Sequence, residues 1–149
     1  MRPKLWCAVL FCASIAAAAQ AGGACLDVRR TQPFEFKGTL SRPVFPGPPN
    51  FEDVKKGDKP ERAYIITLDA PICATGDEFL DSSQSFKSIQ LLVDASSKDG
   101  AALAGGLAQL IGKRVQVTGK SAFGAQTGHH HAPLLMTLVS VTPDAATSR

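Results

Sequence analysis

The three histidines of this chain are consecutive, His129-His130-His131, within Phe123-Gly-Ala-Gln-Thr-Gly-His-His-His-Ala-Pro133. Imidazole ligates transition metals, carries protons near neutral pH, and hydrogen-bonds polar or anionic ligands. If the segment is extended, alternation sends His129 and His131 to one side and His130 to the other. Two imidazoles about 6.6 Å apart along a strand can share a metal, but a protein metal site needs a third ligand. Asp77, Glu78, Asp81, Glu52 and Asp53 are the candidates for it, and nothing in the sequence brings any of them near. Three roles stay open. The imidazoles can bond loop carbonyls and pack on Phe123, they can join Thr127 as one wall of a small-ligand or peptide site, or His129 and His131 can hold a transition metal. No serine or cysteine with a histidine and an acid announces nucleophilic catalysis, so no catalytic residue is assigned and a non-enzymatic role is expected. Water activation on a histidine-bound metal would be the exception.

A second segment carries chemistry. Residues 41–62 hold five prolines, Pro43, Pro46, Pro48, Pro49 and Pro60, in a 22-residue stretch expected to be a long loop. A loop of that length in a small domain is functional or disordered. Within it, Gly47-Pro-Pro-Asn-Phe-Glu52 sets Asn50, Phe51 and Glu52 beside stiff prolines, a ligand-facing set with little entropy to lose on binding. Phe51 can equally tuck back onto the body of the protein. The acids at Asp77, Glu78 and Asp81 read as a solvated turn. Lys55-Lys56-Gly-Asp-Lys59 reads as a charged loop without the glycine spacing of a phosphate cradle.

These segments need a scaffold, and alternation supplies one. Phe34–Leu40 places Phe34, Phe36 and Leu40 on one face, with Gly38 interrupting that row where a strand must bend to serve both halves of a barrel. Tyr64–Asp69 alternates Tyr64, Ile66 and Leu68 inward, and Ile89–Val93 is a short third strand. A helix follows, capped by Ser97 or Asp99, with Leu103, Leu107, Leu110 and Ile111 in one stripe and Gly112 at its C-terminus. Lys113–Lys120 and Leu134–Val141 are strands four and five. The expected fold is all-β with one helix, a small five-stranded OB-like barrel with the helix between strands 3 and 4. A β-sandwich or an SH3-like barrel is the alternative. In an OB barrel, ligands meet the loops joining strands one to two and four to five, which here are the proline loop and the histidine turn.

The first 21 residues read as an export signal: Arg2 and Lys4, an apolar run from Leu5 to Ala19, then Ala19-Gln20-Ala21. An uncleaved anchor, or lipidation at Cys25, is the alternative. The remaining residues 22–149 read as one domain, with an N-terminal arm at 22–33 and a flexible tail at 143–149. Removing Arg2 and Lys4 from the 16 basic residues leaves 14 against 13 acidic ones, no footprint for nucleic acid. No other stretch approaches membrane-spanning length. Cys7 and Cys12 leave with the signal, so Cys25 and Cys73 are expected to pair as a disulfide in a periplasmic or secreted protein.

Gly47-Pro-Pro-Asn-Phe-Glu52, Leu68-Asp-Ala-Pro-Ile-Cys73, Gly112-Lys-Arg-Val-Gln-Val-Thr-Gly119 and Thr127-Gly-His-His-His-Ala-Pro-Leu-Leu135 resemble a bacterial exported family described as a domain of unknown function. The resemblance implies a small exported domain, with the proline loop and the histidine turn in one site, and implies no activity. The expected function is an exported binding module for an unknown small ligand or protein, without a cofactor. A metal carrier or metal-dependent hydrolase on His129 and His131, and a protein–protein inhibitor or adaptor, are the alternatives.

Overall fold

A computed structural model describes residues 24–31 and 33–144. The expected signal, residues 1–21, and residues 145–149 lie outside the described residues. In chain order the strands are β1 (Leu26–Asp27), β2 (Phe34–Ser41), β3 (Val44–Pro46), β4 (Pro60–Arg62), β5 (Tyr64–Ile72), β6 (Ala74–Thr75) and β7 (Phe86–Leu92). Helix α1 (Lys98–Gln109) follows, then β8 (Arg114–Gly124) and β9 (Leu134–Pro143). Five strands close a barrel in the order β2-β5-β7-β9-β8. Its pairings are antiparallel except β7 with β9. That order, with α1 between the third and fourth barrel strands, is the expected OB topology.

Gly38 is the bend that closure requires. It pairs with Leu68 of β5 on one side and Val115 of β8 on the other. A Cβ there would stand 2.2 Å from the Thr67 carbonyl oxygen, so β2 and β5 approach as closely as only glycine permits. Phe34 and Leu40 fill the interior with Ile66, Ile89, Val115, Val117, Leu134 and Met136. Ser97 caps α1, its hydroxyl accepting from the Gly100 N–H at 3.0 Å. Leu107 is fully buried, and Leu103 and Leu110 pack on the core. Ile111 does not join that stripe: it falls beyond the helix, 43% exposed, because the chain turns outward there into Gly112 at φ +80°.

The elements run longer than the alternation indicated. β7 begins three residues earlier than Ile89, β8 extends to Gly124, and β9 continues through Pro143 into the stretch expected as tail. Within the expected arm, β1 pairs in parallel with β6 beside the Cys25–Cys73 disulfide. Its ends are 48 residues apart, a loop whose closure stabilises by ~4 kcal/mol in the chain-entropy account.

Residues 41–62 are not a plain loop. β3 and β4 pair as an antiparallel hairpin, Val44 opposite Arg62 and Pro46 opposite Pro60. Its tip is organised by Asp58, whose carboxylate accepts the backbone N–H groups of Asn50, Glu52 and Asp53 at 2.8–2.9 Å. Those donors hold the Asp58 carboxyl below its ordinary value. The hairpin lies over the barrel's outer wall, where Ala63, Ile65 and Ala132 form a second small core with Phe45. Ile65 is buried for that reason, although it alternates outward from Ile66.

Candidate functional site

The histidine segment is a turn, not an extended strand. The Thr127 hydroxyl accepts from the His129 N–H at 3.3 Å, and its carbonyl from the His130 N–H at 3.0 Å. The Ala125 N–H donates to the Pro133 carbonyl and closes the base of the loop. The turn still separates the imidazoles as alternation would, with His129 and His131 to one side and His130 to the other.

One carboxylate receives that pair. Glu61 of β4 lies 2.7 Å from His129 Nδ1 through one oxygen and 3.3 Å from His131 Nε2 through the other. A carboxylate only accepts, so the proton is assigned to Nδ1 of His129 and to Nε2 of His131. In those tautomers His129 Nε2 and His131 Nδ1 are the acceptor nitrogens. Hydrogen bonding from His129 foremost, and from His131, holds the Glu61 carboxyl below its ordinary value against its own desolvation. His130 takes no part. Its Nδ1 accepts the Gln126 N–H at 2.8 Å, and its ring meets Phe123 edge-on at 5.8 Å.

Aromatic contacts fix the pair from both sides. His131 stacks on Phe45 of β3, centroids 4.1 Å apart and planes 3° from parallel. His129 meets Phe51 edge-on at 4.9 Å. Two glycines make room for this. A Cβ on Gly47 would stand 2.6 Å from the Glu61 side chain, and one on Gly128 would stand 2.8 Å from the Phe51 ring. The first glycine of the proline segment thus seats Glu61, and the glycine before the histidines seats Phe51. Phe51 itself adopts φ +60°, with its N–H donating to the Gly47 carbonyl at 2.9 Å.

A buried amide holds the turn to the barrel. Gln90 of β7, 6% exposed, accepts the His131 N–H at 2.6 Å and donates to the His129 carbonyl at 3.1 Å. Both hydrogen-bonding ends of its side chain are therefore spent on the backbone flanking His130, which sets the position of the rings.

Among the residues singled out from the sequence, Thr127, His129, His131 and Phe51 come together. Asn50 and Glu52 stand on the same hairpin tip, joined to it through their backbone bonds to Asp58. His130 faces away from Glu61. None of the acids considered as a third ligand meets the imidazoles: Asp77 accepts from the Gly124 N–H at 3.0 Å, and Asp81 from Ser83. Among the described residues, no group of three or more His, Cys, Asp or Glu side chains is arranged to hold a metal ion. Glu61 and Gln90 carried no sequence signal. Glu61 sat unmarked at the end of a proline stretch, and Gln90 between two inward hydrophobics.

Beside the Glu61 cluster opens a cleft of about 460 Å³. His129, His131 and Gln90 line one side, Arg42 and Arg62 the rim, and Tyr64 and Ala104 the floor towards α1. The Arg42 guanidinium lies over the Tyr64 ring at 4.7 Å, and the Tyr64 hydroxyl donates to the Ala104 carbonyl at 3.4 Å. A separate, more apolar cavity of about 370 Å³ lies between Phe79, Phe86 and Pro133. No helix among the described residues is long and apolar enough to cross a membrane.

No curated protein and no solved structure matches the chain. Residues 88–142, from β7 through the helix and the histidine turn to β9, match the family model described as Domain of unknown function (DUF4431), which leaves the hairpin with Glu61 outside the match.

Proposed function

We propose that this chain is an exported, non-enzymatic binding module that takes a small polar ligand in the cleft beside Glu61. The observation that carries the reading is Glu61 bonded at once to His129 and His131, because it joins the proline hairpin and the histidine turn into one wall of that cleft. The site is preorganised: stacking, the Gln90 clamp and the Asp58 tip hold the lining side chains before a ligand arrives, which lowers the entropy cost of binding. The inward ring nitrogens are occupied by Glu61, which favours ligand recognition over metal binding. Export is supported by the leader-like residues 1–21 and by the Cys25–Cys73 disulfide.

The test is ¹⁵N-resolved NMR of the disulfide-closed protein against a chemically mixed panel of cationic, neutral and anionic fragments, with zinc chloride as a separate arm. Shifts converging on the Gln90 side-chain amide, His129, His131 and Tyr64 are expected. Hits confined to the Phe79–Pro133 cavity, or zinc binding tighter than ~10 μM with displacement of Glu61, would overturn the reading.

A further inference from the structure

We infer that the cleft takes a small organic carboxylate, with its anionic end on Arg42 and its apolar body on the Tyr64–Ala104 floor; this rests on the binding reading above. Charge at the cleft is unbalanced in one direction. Arg42 and Arg62 both line it, and neither makes an ion pair among the described residues. Glu61 is the one carboxylate lining the cleft, and its two oxygens are taken by the imidazoles. Elsewhere on this barrel an arginine finds its own acids, as Arg114 does with Asp69 and Asp144.

Arg42 is also held ready. Its guanidinium lies over the Tyr64 ring, and Tyr64 is tied to α1 through its hydroxyl. A guanidinium held over a ring and outside any ion pair among the described residues has its N–H fork available to grip two oxygens of one anion. Leu91, Leu92 and Val93 continue the wall beside that floor, an apolar surface that a bare inorganic anion would leave uncovered. His129 Nε2, on the exposed side of the Glu61-bonded ring, offers an acceptor to a donor group on the ligand. The cleft thus suits a monoanion with an apolar body and an N–H or O–H.

The probes are N-acetyl-L-leucine, its primary amide and inorganic phosphate, each titrated to about 10 mM, where millimolar affinities register. The acid is expected to bind at the cleft about tenfold more tightly than the amide, and more tightly than phosphate. Arg42→Gln is expected to reduce acid binding about tenfold, to the level of the amide, since the charge-assisted bonds are lost. Should R42Q not fold, R42K serves, because an ammonium lacks the bidentate fork and loses affinity too. Equal binding of acid and amide, phosphate binding as tightly as the acid, no binding by any probe, or an unchanged variant would each overturn the inference. Fragments of other charge classes that still bind the cleft would leave the broader binding reading standing.

Discussion

Two polar clusters on the same barrel spend their charge differently. Around Arg114, the guanidinium pairs with both oxygens of Asp69 and with Asp144 at 2.8 Å, while Lys37 reaches Asp144 at 3.5 Å. Arg114 thus has two acids of its own, and Lys87 adds a bond from its Nζ to the Asp69 carbonyl at 3.2 Å. The cluster's bonds join β2, β5 and β8 to the residue that follows β9, and its arginine is spent on them. Around Glu61, by contrast, the acid is spent on two imidazoles, and Arg42 and Arg62 keep their guanidiniums outside any ion pair among the described residues. A cluster whose arginine is paired with its own acids is a fastener. One that leaves cations over an apolar cleft is arranged for something else to bind.

The largest perturbation strikes both clusters together. Gly38→Ala would drive a Cβ into the Thr67 carbonyl and loosen the wall on which both stand. A loss of about 3 kcal/mol in chemical denaturation is expected, the upper range for overpacking. Gln90→Ala separates the two regions. It strips the buried amide from the His129 carbonyl and the His131 N–H, with an expected cost of about 1–3 kcal/mol and loss of cleft binding, while the Arg114 ion pairs persist. Arg114→Met should do the reverse, giving a smaller drop in thermal midpoint and fragment binding unchanged.

The acid limb of stability sharpens the contrast further. Glu61 has a lowered pKa in the folded state, so its contribution is complete above the ordinary carboxylate range and is lost as pH falls through the lowered value. Asp69 behaves alike through its Arg114 hydrogen bonds. Following the Phe51–His129 proton contacts by NMR on acidification should show them weaken only below the ordinary carboxylate range. In Glu61→Gln that acid transition should vanish, whereas the one belonging to Asp69 stays.

Much of the scaffold was legible because it depends on short-range rules. Alternation marked Phe34, Phe36 and Leu40, the close approach at Gly38 left its glycine, and the Ser97 cap announced α1. The disulfide followed from counting the cysteines that lie outside the expected signal. The centre of the site was not legible, because it depends on long-range pairing. Nothing local says that Val44 will pair with Arg62, 18 positions on, and only that hairpin carries Glu61 to the histidines. Gln90 was hidden by the opposite effect: its strand is covered on both faces, so its burial breaks the alternation that would have placed it in solvent. Gly47 and Gly128 were the available clues, since each lacks a Cβ where another residue's side chain must lie.

The most direct test of Glu61 as the joint between the two loops is the tautomer of each imidazole, read from long-range ¹H–¹⁵N correlations near neutral pH. Wild type should show His129 protonated at Nδ1 and His130 and His131 at Nε2, with His129 and His131 shifting in Glu61→Gln while His130 does not. Histidine spectra that are identical in the two proteins would contradict the account.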